Sequence, residues 1–100
     1  MEAMCCGRIR NTPKLEQTEK ANACVQLSVL VFQSPDRKGK LYPMWVYVIC
    51  FGQLANRIAV EASKGQELCC DGFLAHRRWT NRHGSKDHRI HMIARAITLF

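Results

Sequence analysis

Alternation of side chains along one segment constrains this chain more than any other feature of its sequence. In residues 45–51, the rings of Trp45, Tyr47 and Phe51 share the odd positions with Ile49. Successive side chains of a β-strand point to opposite faces of a sheet, so this segment would bury one face and present rings on the other. The predicted core-facing set is Met44, Val46, Val48 and Cys50. Rings flanked by Lys and Arg on an open sheet can stack unpaired bases, so function depends on whether this face is exposed.

Four other segments, residues 3–9, 23–32, 67–79 and 88–99, have the apolar content of strands, and the aromatic strand itself is predicted over residues 41–51. Residues 53–63 change to a helical period and are followed by Lys64 and Gly65, which is typical of a short amphipathic helix and its end. The remaining stretches are predicted as a loop (residues 11–22), a basic turn (33–40) and a hairpin tip (80–87).

Two glycines within predicted strands have positional meaning. Gly7 predicts a bulge or a close approach between backbones, and Gly72 predicts a bend in a long strand. Five strands with one short helix between the third and fourth is the arrangement of the OB-fold, a small all-β barrel. We therefore expect residues 1–100 to form a single domain of this class.

The charge of the chain favours a polyanionic partner. Its 100 residues carry a formal net charge of +7, and residues 73–95 hold six basic residues against one aspartate. Carboxylates are scattered, and neither a catalytic triad order nor a glycine-rich phosphate loop occurs, so we do not expect an enzyme or a bound cofactor. With no long apolar run and no basic-then-apolar start, we expect a cytoplasmic protein without a membrane association.

Cysteine and histidine spacing argues against a structural metal. The six cysteines include two adjacent pairs, and adjacent residues of a strand point to opposite faces, so neither pair can chelate as CxxC does. We expect these cysteines to be buried as small apolar side chains, without a disulfide framework. The four histidines, which lie within residues 76–91, are expected to be solvated or to contact phosphate.

The order and spacing of several short motifs resemble the bacterial single-stranded DNA-binding protein family. The matching stretches are Trp45 to Ala55 with Phe51-Gly52-Gln53-Leu54-Ala55, then Lys64-Gly65, then Gly72 to Trp79, with Gly7-Arg8-Ile9, Pro13 and Gly84 outside them. The resemblance covers nearly the whole chain. It implies an OB-fold that binds single-stranded DNA without sequence preference, in replication, recombination or repair, including in plasmids, phages or integrating elements.

The resemblance also implies a set of binding residues. Base-stacking positions of the family are occupied here by Trp45, Phe51 and Trp79, and Tyr47 occupies a position on the same face that is often basic in relatives. Basic positions of the DNA path are occupied by Arg77, Arg78, Lys64, Lys38, Arg8 and Arg10. The family assembles through its barrels, so a homodimer or homotetramer at the nucleoid or replication fork is expected.

Three departures and two alternatives accompany this prediction. Pro35 stands where the family has a further stacking Trp, the first strand is short, and the chain stops at Phe100 without the acidic tail that recruits replication and repair proteins in the family. A tail-less basic chain of this size is also similar to primosomal replication protein N, although that protein has a poorer set of aromatic residues than this chain. The rival of a different class is an interaction module of a replication complex, whose aromatic face packs on another protein.

Overall fold

A computed structural model describes residues 1–18, 20–31 and 35–100 of the chain. The elements in chain order are β1 (Glu2–Ile9), β2 (Leu15–Gln17), β3 (Ala23–Val31), β4 (Met44–Phe51), α1 (Gly52–Glu61), β5 (Glu67–Thr80) and β6 (Lys86–Leu99). The five predicted strands and the helix are all present. Phe32, predicted as the end of the second strand, and residues 33–34 of the predicted turn lie outside the described residues, as does Glu19 of the predicted loop.

The six strands form one sheet that closes on itself. The strand order is β1-β5-β6-β4-β3-β2, and β1 also pairs with β3, which completes a barrel of five long strands. Neighbouring strands are antiparallel except β4 and β6, which pair in parallel through Val48 with Met92 and Ile49 with Ile93. The helix lies between β4 and β5, the third and fourth of the five predicted strands. The predicted OB-fold, all-β with one short helix, is therefore confirmed.

The short strand β2 was not predicted. It lies inside the stretch predicted as a loop, residues 11–22, and pairs with residues 23–25 of β3. All three of its residues are exposed, so no alternation of apolar and polar side chains marks it in the sequence. Strand β4, predicted to begin at residue 41, begins at Met44. Pro43 immediately precedes this first paired residue and has no N–H to donate to a neighbouring strand.

The core fills the barrel and is closed at one end by α1. Its strand members are the inward side chains of the alternating segments, including Val25, Leu27 and Val48, which are almost completely buried. Ala55 and Ile58 of α1 are fully buried against them, as the spacing of the predicted helix requires. Burying a side chain such as Ile58 contributes about 1.5–3 kcal/mol to stability. The helix thus seals the barrel on the side away from the long β5–β6 hairpin.

Both strand glycines are explained by close backbone approaches. A Cβ at Gly7 would collide with the carbonyl oxygen of Leu30 in β3, and a Cβ at Gly72 would collide with that of Ile93 in β6. The ladder between β5 and β6 also shifts register between Asp71 and Gly72. The predictions of a close approach at Gly7 and a bend at Gly72 are confirmed, and beyond the bend the two strands continue as a long hairpin.

The cysteines correct one prediction. Pairing of β1 with β5 places Cys6 opposite Cys69 and Cys5 opposite Cys70, and Cys6 and Cys69 form a disulfide. The prediction that the chain lacks disulfides was wrong. It rested on the spacing of adjacent cysteines, whereas Cys69, the partner of Cys6, lies 63 residues away and is brought opposite Cys6 by strand pairing. The other four cysteines are free thiols, of which Cys5 is half-buried and the rest are buried, as expected.

Two features that bear on function are absent from the described part of the chain. Within residues 1–18, 20–31 and 35–100, no three His, Cys, Asp or Glu side chains converge as ligands for a metal ion. In the same residues, no helix has the length and apolar character that crossing a membrane requires.

Candidate nucleic-acid interface

The outward face of β4 is open and carries three aromatic rings. Trp45, Tyr47 and Phe51 expose 45%, 39% and 42% of their surfaces, whereas Val48 and Cys50 between them are fully buried. The predicted division into an aromatic face and a core face is confirmed for these residues, because the strand is extended throughout and its side chains alternate. Met44, predicted on the core side, is half exposed at the mouth of the barrel.

The aromatic face continues across β6 onto β5. Ile49 of β4 pairs with Ile93 of β6, and within the hairpin Arg89 of β6 pairs with Arg77 of β5. Counting by twos from Ile93 places Arg89 on the outward face, and counting from Arg77 places Trp79 there as well. Neighbouring strands are about 4.8 Å apart, so β4 and β5 are separated by about 10 Å across β6. Rings and guanidinium groups from three adjacent strands therefore share one surface.

Each of three rings on this surface has a guanidinium group beside it. The guanidinium carbon of Arg89 lies 4.3 Å from the ring centroid of Tyr47. The corresponding distances are 5.7 Å from Arg10 to Trp45 and 5.9 Å from Arg77 to Trp79. Such cation–π contacts hold the long side chains over the rings without neutralising their charge. This surface therefore presents flat rings and positive charges side by side.

The position of Arg10 is set by the segment that follows β1. The backbone N–H of Arg10 donates to the carbonyl of Ser28 in β3. The side chain of Asn11 donates to the carbonyl of Gln26 and accepts from the N–H of Ser28. These bonds tie the segment to β3, whose Ser28 pairs with Tyr47 of β4. A groove of about 300 Å³ runs beside Tyr47 and Arg89 and is also lined by Asn11, Thr12 and Lys14 of the segment after β1 and by Glu16 of β2.

Two residues at the centre of the face were not among the predicted site residues. Arg89 is half-buried over Tyr47, and its Nε has no hydrogen-bond partner in the described part of the chain. His91 is buried, and its Nδ1 also lacks a partner among the described residues. Burial, followed by the nearby charges of Arg89 and Arg77, lowers the pKa of His91. Of the two alternatives expected for the histidines, solvation is wrong for His91, and contact with phosphate stays a prediction; the other three histidines are exposed.

A signal for Arg89 was present in the sequence. The hairpin tip at residues 81–85 fixes the pairing of Arg77 with Arg89, and Arg77 was already assigned to the binding face. Counting outward from the turn would have placed Arg89 opposite it. For His91 the strand position follows in the same way, but its burial depends on how the neighbouring strands cover it.

The structure brings together Trp45, Tyr47, Trp79, Arg77 and Arg10, and separates other predicted residues from them. Phe51 shares their face but lies six residues from Trp45, about 20 Å along the strand. Arg78 points to the opposite side of the hairpin from Arg77 because the two are adjacent in β5. Its Nε contacts Nδ1 of His76 at 3.4 Å.

The remaining predicted cations lie on the periphery. Arg8 forms an ion pair of 2.6 Å with Glu67 and donates to the carbonyl of Gly65, so a carboxylate already neutralises it. Lys64 is exposed on the loop that precedes β5, at the opposite end of that strand from Trp79. Lys38 is exposed in the turn before β4, where its backbone N–H donates to the carboxylate of Asp36.

A comparison with known protein families agrees with the chemistry of this surface. The model of the single-strand binding protein family matches residues 1–100. A comparison with curated proteins finds no match. The matched region contains every ring and guanidinium group of the surface described above.

Proposed function

We propose that this chain, which belongs to the single-strand binding protein family, binds single-stranded DNA through the aromatic face of β4, β5 and β6. Members of the family bind single-stranded DNA without catalysing a reaction. The observation that carries this proposal is the set of three ring–guanidinium pairs on one open surface. Every base has a π-face, so stacking on rings tolerates any sequence. Every nucleotide has a phosphate, so the guanidinium groups have a partner at each step.

The roles of individual residues follow from their positions. Trp45, Tyr47 and Trp79 stack bases, and Arg10, Arg77 and Arg89 contact the phosphates on either side of them. Phe51 extends the stacking surface along β4. Lys38 and Lys64 lie on loops at the ends of the surface and guide the strand on and off it. The pairing of Arg8 with Glu67 reduces its contribution.

Tryptophan fluorescence tests stacking directly, because the chain has only two tryptophans and both are assigned to the face. The variants Trp45→Phe and Trp79→Phe each leave one reporter and retain a ring. Titration with an unstructured oligo-dT should quench both reporters. Absence of quenching in either folded variant at low salt would contradict the role of the remaining tryptophan, and absence in both would favour a surface that packs on another protein.

Affinity measurements with a matched pair of ring deletions separate stacking from general instability. Trp79→Ala should weaken oligo-dT binding by about 1–3 kcal/mol. Phe100→Ala removes another exposed ring eleven residues along the chain from Arg89, about 35 Å away along an extended strand, and should leave affinity nearly unchanged. Equal effects of the two substitutions would contradict the assignment of Trp79.

We further propose that the protein is a cytoplasmic homodimer or homotetramer that coats DNA strands exposed in replication, recombination or repair. Family membership supports this assignment. Coating should protect oligo-dT from a single-strand nuclease in proportion to the bound fraction. Sedimentation that detects only monomer at micromolar concentration would contradict the assembly, without affecting the proposal for the binding face.

A further inference from the structure

Three sulfur atoms meet on the inner side of the barrel, which we call the sulfur cluster. Cys5 of β1 pairs with Cys70 of β5, and their Sγ atoms lie 3.3 Å apart. The Sγ of Cys70 lies 3.6 Å from the Sδ of Met92 in β6. Cys70 and Met92 are almost completely buried, whereas Cys5 is half-buried. Two thiols and one thioether from three adjacent strands are therefore in contact with one another.

A cavity of about 370 Å³ connects the sulfur cluster to the mouth of the barrel. Strand β1 pairs with β3 only through residues 7–9, so the two strands separate on the N-terminal side of Gly7. Cys5 and Met92 line this cavity together with Met4 and Met44, so three of the chain's four methionines are found there. In the described part of the chain, no charged side chain lines it. The cavity is therefore an entry path to the cluster that is rich in sulfur and otherwise apolar.

The donor atoms of the sulfur cluster select a soft metal ion. Thiolate and thioether sulfurs favour Cu(I), whereas hard cations such as Mg²⁺ and Ca²⁺ take oxygen ligands. A structural zinc site has four ligands in a tetrahedron, and this cluster supplies three sulfurs, one of which is a thioether. Metal–sulfur bonds of about 2.3 Å place three coplanar sulfurs about 4 Å apart. The observed separations of 3.3 and 3.6 Å would therefore have to widen by only about 0.4–0.7 Å.

We propose that Cys5, Cys70 and Met92 bind one Cu(I) ion at the mouth of the barrel. On binding, both thiols release their protons to solvent, and the two thiolates and the thioether become the ligands. Cys5 and Cys70 come from different strands, so the site does not require chelation by adjacent cysteines. A reducing cytoplasm, where we place the protein, keeps both thiols available to the ion.

This metal site is separate from the aromatic face. Val46 lines the cavity, whereas its neighbours Trp45 and Tyr47 point to the other side of β4. The proposal therefore goes beyond the proposed function and does not rest on it. Titration with Cu(I) decides the metal site, and titration with oligo-dT decides the aromatic face, so the failure of one proposal is distinguished from the failure of the other.

Transfer of Cu(I) from its bicinchoninate complex measures the binding. The protein with Cys6 and Cys69 joined is titrated under nitrogen, and the loss of absorbance of the complex reports the Cu(I) taken up. One equivalent should bind. The variant Cys6→Ser with Cys69→Ser should also bind one equivalent, which would exclude that pair as the site. Absence of transfer to either protein overturns the proposal.

Matched sulfur deletions assign the ion to the cluster. Loss of an outer-shell partner weakens metal binding about 10–100-fold, and Cys5→Ser, which removes a ligand, should weaken Cu(I) binding by more than this. Met92→Leu replaces the thioether with an apolar side chain of similar volume and should also weaken it. The control Cys50→Ala removes a buried thiol that donates to the Val25 carbonyl outside the cavity, and affinity should not change. Unchanged affinity in Cys5→Ser or in Met92→Leu overturns the proposal.

X-ray absorption at the copper edge identifies the ligands without any substitution, and so decides the question should a variant unfold. The intact protein with one equivalent of Cu(I) should show three sulfur neighbours, with the thiolates at about 2.3 Å. Nitrogen neighbours would place the ion on one of the four histidines and overturn the proposal. Two sulfur neighbours would exclude the thioether of Met92 and overturn the three-sulfur site.

Discussion

Opening the Cys6–Cys69 disulfide should destabilise the barrel strongly. The bond connects β1 to β5 across 63 residues. A cross-link limits the freedom of the unfolded chain, and the loop-entropy relation gives about 3 kcal/mol for a 15-residue loop and about 4.7 kcal/mol for a 100-residue loop. Reduction should therefore lower the free energy of unfolding by about 4 kcal/mol, a large part of the 5–15 kcal/mol typical of a domain. In a reducing cytoplasm, where we place the protein, this stabilisation would be absent.

Urea unfolding of the oxidised protein, with and without reductant, measures this difference. Thiol titration in denaturant should give four reactive cysteines before reduction and six afterwards. The variant Cys6→Ser with Cys69→Ser should unfold like the reduced protein and should not respond to reductant. Six reactive thiols in the oxidised protein would refute the bond itself. Four thiols with an unchanged free energy of unfolding on reduction would refute the entropic reasoning.

Three further outcomes are expected. Arg89→Gln should reduce the slope of log affinity against log salt for oligo-dT binding by about 0.7. The control Arg57→Gln removes a guanidinium already paired with Glu61 on α1 and should leave this slope unchanged. Equal slopes for the two variants would contradict the role of Arg89. Burial lowers the pKa of His91 from its usual 6.5, so below that pH the unfolded state binds more protons than the folded state. The stability that comes from burying the neutral imidazole is therefore present above about pH 6.5 and is lost as the pH falls through the pKa of the folded state. The variant His91→Gln should show a smaller loss in urea midpoints measured at several pH values. Gly72→Val should destabilise by at least 1–3 kcal/mol through its collision with the Ile93 carbonyl, measured by thermal unfolding against the exposed-site control Ala96→Val.

Local periodicity was enough to predict much of the fold and part of the site. The alternation in residues 45–51 assigned Trp45 and Tyr47 to an outward face, and the change of period after Phe51 located the helix. These features depend on the chain's own geometry, in which a strand repeats every two residues and a helix every 3.6. The sequence also located Gly7, because a glycine within an apolar strand marks a bulge or a place where another backbone comes close.

The same local rule was sufficient to separate Arg77 from Arg78, although both had been assigned to one DNA path. Adjacent residues of a strand cannot share a face, and the structure places Arg78 with His76 on the far side of the hairpin. Strand β2 was missed for the opposite reason. Its three exposed residues carry no periodic signal, and only pairing with β3 makes them a strand.

What the sequence by itself determined was therefore which side chains share a face, and what only the tertiary structure decided was which faces and strands become neighbours. Closure of the barrel pairs β1 with β5 and so joins Cys6 to Cys69 across most of the chain. The parallel pairing of β4 with β6 brings Arg89 over Tyr47, and the covering of β6 by its neighbours buries His91. These contacts depend on register between distant segments, and register is set by the packing of the whole core, which no local pattern contains.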